Sequence, residues 1–430
     1  MENLIVISKS FLLLFLLVGL FVVCECEDED DGQVSPVSPM VKEEQEALYA
    51  AIQGFVGNLW NGSDLYPDPC GWTPIQGVYC DLVDGFWHIT VLNIGLVFDN
   101  SLQCRPDAKF THHLFDLTHL RSVSFFNCFF SPGENPIRIP SSNWETLSNS
   151  LESLEFRSNG GLIGGIPTSI GCLKRLQSLV LLDNGLTGEL PIELGNLVNL
   201  RQLVLAGNKF SGQVPPSLAG LTELLIMDLS RNNLSGPLVL SFGTSFTSLL
   251  KLDLSNNELQ GKIPEGIGSL KNVTLLDLGR NKFSGGLIKS FQELASLKQM
   301  VVSNNPLGGG LMGVQWGNLQ SLEILDLSNL GLTGMVPESM AEMKRLRYLG
   351  LNDNNLSGNL CPKLASLPCL DALYINGNNL TGKLEFSEGF YKRMGRRFRA
   401  WNNSKLCYQP QVISSSSPPP SHFPSGVKAC

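Results

Sequence analysis

The sequence predicts an α/β repeat solenoid: a superhelix with short parallel strands on its concave face and a cap at each end. Between Leu151 and Leu384 one pattern keeps returning, written once as LxxLxLxxNxLxGxxP. Clear copies are Leu176, Leu179, Leu181, Asn184, Leu186, Gly188, Pro191 and Leu200, Leu203, Leu205, Asn208, Phe210, Gly212, Pro215. Another is Leu249, Leu252, Leu254, Asn257, Leu259, Gly261, Pro264. The Asn slot falls at positions 159, 184, 208, 232, 257, 281, 305, 330, 354 and 378, so every step is 24 or 25 residues. A period held that tightly marks stacked, nearly identical coils.

The chemistry of the coil accounts for the spacing and makes this a leucine-rich repeat superhelix. In LxxLxL, apolar residues at period two turn one face of a short strand into the core, and the residues between them face the concave surface. The Asn after the strand uses its side-chain amide on backbone groups of neighbouring coils, forming a ladder that pairs otherwise buried N–H and C=O groups. In the LxGxxP tail, Gly permits positive φ and Pro fixes φ near about −65°. No coil buries its own leucines, so stability is a sum over neighbours and the ends need caps. One copy departs from the pattern: Leu330 fills the Asn slot, with Asn329 one place early. Either the ladder loosens there, or the chain bends and reshapes the concave face.

In chain order, Leu12–Val23 is an apolar run behind Lys9 and ahead of an acidic stretch, which reads as a secretory signal peptide (1–26) cleaved near Cys24 or Cys26. It is short for a membrane span, and no later run is long and apolar enough to make one. No apolar tail for a glycolipid anchor is present. Residues 27–41 read as an acidic Ser/Pro linker. An N-terminal cap is expected over 42–116. It opens with a helix over Val41–Val56, in which Ala47, Leu48, Ala51, Ile52 and Phe55 recur at helical spacing behind glutamates suited to a helix N-terminus. Cys70 and Cys80 are expected to form a disulfide, as befits a secreted chain with no paired His nearby for zinc. His88–Ile94 is the first alternating strand. Leu120, Val123, Phe125, Cys128 and Phe130 form a degenerate coil with Cys in the Asn slot, Cys104 is the expected partner of Cys128, and Ser131–Asn149 reads as an irregular convex-side excursion.

The repeats are expected over 117–385, a C-terminal cap over 386–410 and a Ser/Pro-rich tail over 411–430. Phe386–Trp401 mixes aromatics with Lys392, Arg393, Arg396, Arg397 and Arg399. Such a stretch serves either a membrane surface or, as preferred here, a capping helix over the last coil. Cys361 and Cys369 flank a turn between coils and are candidates to pair, and Cys172 is expected as a small buried apolar residue. Of eleven cysteines, removing Cys24 and Cys26 leaves nine, so at least one thiol is left over.

A pI near 5.3 argues against a nucleic-acid partner. No nucleophile–base pair, phosphate loop or kinase segment occurs, so no enzyme, catalytic residue or cofactor is expected. His112, His113 and His119 lie close in sequence but lack a Cys or carboxylate frame at ligand spacing, and no metal site is expected. Sequons at Asn61, Asn233, Asn272, Asn355, Asn379 and Asn402 are candidate glycosylation sites. Asn233, Asn355 and Asn379 also arise from the repeat consensus. Asp228, Asp253, Asp277 and Asp326 share one concave column, either as part of the LDLS strand motif or as an acidic binding stripe.

The array with its cap Asp68-Pro69-Cys70-Gly71-Trp72 and Gly77-Val78-Tyr79-Cys80 resembles plant extracellular leucine-rich repeat proteins of the receptor-like class. Three stretches are similar to the Piriformospora indica-insensitive protein 2 group: Tyr66 to Val78, Leu154 to Asn159 and Lys392 to Phe398. The resemblance implies a non-enzymatic cell-surface role in perceiving or accommodating a root-colonising fungus, with growth promotion and immunity as its setting. It also implies a protein or peptide ligand and a transmembrane receptor kinase as partner, with the chain held peripherally at the plasma membrane or free in the apoplast. The alternative resembles polygalacturonase inhibitors, secreted blockers of microbial wall-degrading enzymes. For either, the partner-binding candidates are the strand positions between leucines. They are Arg157 and Gln202 toward the N-terminus, and Tyr348, Asn352, Asp353, Tyr374 and Asn376 toward the C-terminus, where two tyrosines from adjacent coils approach each other.

Overall fold

The computed structural model describes residues 39–95, 102–130, 136–240, 242–408 and 427–430. The signal peptide, the acidic linker, residues 131–135 and most of the Ser/Pro-rich tail lie outside the described residues. Met40–Cys430 forms a single structural unit. It opens with helix α1 (Lys42–Val56), whose Leu48, Ile52 and Phe55 are fully buried. Strands β1 (Val78–Val83) and β2 (Phe86–Gly95) then pair antiparallel. Asp84 (φ 52°) and Gly85 (φ 83°) join them. Two positive φ values in a two-residue loop make a type I′ turn, whose twist matches the flanking strands. The Asp-Gly pair announced this hairpin, yet the spacing argument placed only the second strand.

From β2 onward every strand is parallel. It pairs with β3 (Ser122–Phe126) in the register Leu92↔Val123, and each coil adds one strand, ending at Phe398–Arg399, to give a 14-stranded sheet. The leucines of each strand face inward and are buried: Leu179, Leu203, Leu252, Leu276, Leu325, Leu349 and Leu373. The consensus Pro immediately precedes a 3-10 turn, as Pro191 (φ −68°) does before Ile192–Asn196 and Pro215 (φ −63°) before Pro216–Gly220. Gly188 (φ 87°) and Gly212 (φ 76°) take the left-handed conformation the tail requires.

The asparagine ladder lies between strand and tail. Asn257 donates through Nδ2 to the carbonyls of Leu229 (3.0 Å), Leu254 (3.1 Å) and Ser255 (3.2 Å), and its Oδ1 accepts from Leu234 N–H at 3.1 Å. Asn184, Asn208, Asn232 and Asn281 reach the preceding coil in the same way. The residue just before each slot is left-handed even where it is not Gly, including Ser158 (φ 58°), Arg231 (φ 54°) and Arg280 (φ 54°). Side chains rarely adopt this conformation unless surrounding bonds hold it. Asn329 (φ 51°) occupies that same position, which explains an Asn one place early.

At Leu330 a rung is missing. From Asn184 onward, the N–H two residues beyond each of the other slots donates to the next coil's Asn, as Phe283 N–H does to Asn305 Oδ1 at 3.0 Å. Leu307 N–H instead turns back to the carbonyl of Asn305 at 2.9 Å. The second sheet, built from the tails, stops there: a six-stranded part ends at Lys282–Ser284 and a five-stranded part resumes at Thr333–Gly334. The concave sheet crosses the same coils in even register, Met300↔Leu325 and then Leu325↔Leu349. The looser ladder is therefore what the missing amide produces, and the concave face continues.

Three expectations are corrected. Cys361 and Cys369 do not pair; both remain free thiols. The five-residue turn Pro362–Ser366 separates them, and five residues of 3-10 helix advance about 10 Å, beyond the roughly 4.4–6.8 Å Cα spacing a disulfide spans. Residues 136–149 form a lengthened tail rather than an irregular excursion: Ile137 bridges Leu162, and Trp144 and Leu147 of the turn Trp144–Leu147 are fully buried. Cys172 is half-buried at the end of its 3-10 turn, and burial pushes its thiol pKa up.

Among the described residues, three disulfides join Cys70 to Cys80, Cys104 to Cys128, and Cys407 to Cys430. The last brings Lys428–Ala429 alongside Lys405–Tyr408 as a further strand. The ladder also runs one coil beyond the regular period. Asn403, 25 residues past Asn378, donates to the carbonyl of Ile375 and accepts from Leu380 N–H. Above it, helix α2 (Glu388–Met394) closes the end through buried Phe386, Phe390, Tyr391, Met394 and Phe398. Its basic residues meet protein, Lys392 pairing with Glu388 at 2.8 Å and Arg393 donating to the Ala365 carbonyl at 3.3 Å, and Arg397 just past the helix lies 3.7 Å from Asp371.

Candidate recognition surface

The sheet register decides which side chains meet on the concave face. Tyr348 lies opposite Ala372, and Gly350 lies opposite Tyr374. Each tyrosine therefore faces a small residue, and the two rings meet diagonally at 5.4 Å in an edge-to-face arrangement of 83°. Such pairs are worth about 0.5–1.5 kcal/mol beyond their buried area. Gly350 makes room: a Cβ there would come within 2.9 Å of the Tyr348 hydroxyl and 2.8 Å of Asp326 Oδ1. In the next coil Arg399 lies opposite Tyr374, its guanidinium 4.2 Å from that ring centroid and 5.8 Å from the ring of Trp401. Burial raises the Tyr348 hydroxyl pKa, and the neighbouring Asp326 and Tyr374 raise it further. It is therefore a neutral hydrogen-bonding group at the edge of a platform of three rings and one cation.

Beside this platform runs an acidic column: Asp228, Asp253 and Asp277 in register, then Val301 and Asp326. The LDLS motif has a structural role here. Oδ1 of Asp228, Asp253 and Asp326 accepts from the N–H and hydroxyl of the Ser two residues on, so one oxygen shapes the end of the strand. The second oxygen faces the column, where Lys251 Nζ sits 2.7 Å from Asp228 and 3.8 Å from Asp253. Asp277 has Gly279 where the others have Ser, and its Oδ1 accepts only from the Gly279 N–H at 2.8 Å. Burial, reinforced by Asp253, pushes its carboxyl pKa up to about 7.

This raised pKa makes stability depend on pH. The unfolded Asp277 carboxyl titrates near 3.8 and the folded one near 7, so between those values the folded chain holds the extra proton. This group's contribution to stability is therefore full below the lower value and is lost as pH rises through the upper one. Asp277→Asn keeps the acceptor for Gly279 and removes the titration. The variant is expected to be more stable than the parent by on the order of 2 kcal/mol at about pH 8, with the gap closing toward about pH 4.5. Denaturant midpoints of both chains across that range test this, and a gap independent of pH refutes it.

The remaining candidates are placed differently. Arg157 is held by Glu155 at 2.8 Å, and Gln202 accepts from the Ser178 hydroxyl at 3.4 Å. Asn352 and Asp353 lie past their strand, where Asn352 Nδ2 donates to Asp353 at 2.7 Å and Asp353 (φ 58°) is the left-handed residue before the rung. Asn376 is buried, and its carbonyl serves the ladder. Arg399 and Trp401 complete the platform, although their sequence context assigned both to the cap. The Asn403 rung was the signal that would have placed them on a further coil. The sequon residues Asn61, Asn233, Asn272, Asn355, Asn379 and Asn402 are all exposed.

The Leucine Rich Repeat family profile matches residues 199–221, 248–270 and 321–343. The chain is 53% identical to Piriformospora indica-insensitive protein 2 of Arabidopsis thaliana over 41% of this chain and 40% of that relative. It is 34% identical to Receptor like protein 29 of the same plant, over 41% of this chain and 36% of that one. These matches thus span about two fifths of the relatives' own length. Among solved structures, the chain is similar to the ectodomain of the Arabidopsis receptor kinase HAESA in complex with an N-terminally extended IDA peptide hormone, with a TM-score of 0.63 and 29% identity. That likeness covers 86% of this chain and 62% of the other.

Proposed function

We propose that this chain, which folds as a leucine-rich repeat solenoid and is similar to a plant receptor kinase ectodomain and to a receptor-like protein, is a non-enzymatic recognition protein of the plant cell surface. In this reading it binds a protein or peptide ligand, or a transmembrane receptor kinase, on its concave face. The observation that carries the proposal is the Tyr348, Tyr374, Arg399 and Trp401 platform. Tyrosine, tryptophan and arginine are the residues that most often anchor protein interfaces, and here they meet on an open sheet. The likeness to a protein named for insensitivity to Piriformospora indica supports a setting in perception or accommodation of a root-colonising fungus, with growth promotion and immunity as outcomes.

Among the described residues no helix is long and apolar enough to cross a membrane. Peripheral attachment at the plasma membrane through a partner, or residence in the apoplast, is the localisation we propose. Glycans on the exposed sequons belong to the same proposal. The test fractionates plant tissue producing the full chain. Retention on plasma membranes, release by high salt or carbonate, and recovery of a receptor kinase by cross-linked pull-down are expected. Recovery in the apoplastic wash alone, with no kinase captured, overturns the receptor-complex reading. A second reading is an inhibitor of microbial wall-degrading enzymes akin to polygalacturonase inhibitors, whose concave repeat face would meet the enzyme instead of a receptor. A polygalacturonase inhibition assay on the purified chain separates it from the first.

A further inference from the structure

We propose that Glu44, His88 and His119 form a zinc site that clasps the N-terminal cap to the first repeat. The residues come from three separate segments: the first turn of α1, strand β2, and the link leading into β3. One ligand atom from each lies within 4.8 Å of the other two. Zinc bound at about 2.0–2.2 Å by nitrogen and oxygen holds tetrahedral donors about 3.3 Å apart, so side-chain adjustment alone suffices.

The cluster is sheltered, with the His88 side chain 12% and Glu44 9% exposed. A buried carboxylate is costly unless partnered. Glu44 Oε1 accepts from Ile89 N–H at 2.8 Å, and its Oε2 meets His88 Nδ1 at 2.6 Å. Those bonds account for Glu44 and His88 but leave His119 over. Its ring packs 3.8 Å from that of His88, and its Nδ1 is buried without a hydrogen-bond partner among the described residues. An unmet buried nitrogen is costly to the fold. A cation at the centre, coordinated through His119 Nδ1, would satisfy that nitrogen and neutralise the carboxylate. Two imidazoles and a carboxylate, with water in the fourth position, form a set that suits zinc. The other histidine group, His112, His113 and Asp116, is largely exposed and holds no such buried orphan.

The test strips the full-length chain with a chelator and titrates it with Zn²⁺ alone by calorimetry, then with Co²⁺ followed by visible absorption. One zinc per chain is expected, with a tetrahedral cobalt band that zinc abolishes. His88→Gln and His119→Gln should each weaken zinc at least about tenfold, whereas the double variant His112→Gln with His113→Gln should bind as the parent does. Zinc should raise the thermal midpoint of the parent and leave that of His119→Gln unmoved. The proposal is overturned by no saturable zinc binding in the parent, by binding that survives both His88→Gln and His119→Gln, or by binding lost with His112 and His113 instead.

Discussion

Asn257→Ala is expected to cost about 2–3 kcal/mol, a large loss for one small side chain. The residue is 8% exposed, and its amide donates to three carbonyls and accepts from one N–H across two coils. Truncation leaves the Leu234 N–H buried without its partner, at about 1–3 kcal/mol, and takes one donor from each of the carbonyls of Leu229, Leu254 and Ser255, which keep Asn232, Asn281 and the Arg231 N–H. It also releases a neighbour, Asn256 (φ 55°), whose left-handed backbone the rung helps to hold. Since each coil contacts only its neighbours, the damage stays local at first. Hydrogen exchange should show the Leu234 amide losing protection while amides near Leu373 keep theirs, and the urea midpoint should fall. Asn233→Ala, on an exposed residue in the next coil toward the N-terminus, should change stability by less than about 0.5 kcal/mol. Equal effects of the two substitutions would show that the ladder is a bystander. The chain supplies its own comparison at Leu330, where the missing amide coincides with the break in the second sheet.

That contrast shows what was legible in the sequence. Strand, rung and tail repeat because each is specified within a few residues: leucines at period two, an amide at one slot, Gly and Pro in the tail. Features that depend on distant segments meeting were not legible. Glu44 read as a helix N-terminal acid, which it is, but nothing local says that His88 and His119 fold against it. Cys407 and Cys430 pair across a Ser/Pro-rich stretch with no periodicity to set the distance. Arg399 and Trp401 read as cap residues because Phe398 and Ala400 stand where the coil pattern has leucines. The tyrosine pair was legible because its geometry comes from repeat arithmetic: one coil apart, on one face. The cation stacked on it was not, because it belongs to the degenerate last coil.

The combined variant Tyr348→Ala with Tyr374→Ala is expected to weaken capture of the partner at least roughly 30-fold, about 2 kcal/mol, with secretion unchanged. Neither tyrosine belongs to the buried core; both stand on the concave face, and the leucines beneath them, Leu349 and Leu373, carry the fold. The variant therefore removes surface rather than core. Tyr374→Ala alone should have the larger single effect, because it also takes away the ring under Arg399, which lies 4.2 Å from its centroid. Gly350→Val gives an independent test that leaves both tyrosines in place. Its side chain would occupy the space of the Tyr348 hydroxyl and Asp326 Oδ1, 2.9 and 2.8 Å from the first added carbon, so it should disturb the platform by displacing the Tyr348 ring. If Gly350→Val and the tyrosine variants all secrete normally and still capture the partner at parental affinity, the platform is not the binding site. If Gly350→Val fails while Tyr348→Phe binds normally, the position of the ring, rather than its hydroxyl, is what the partner reads.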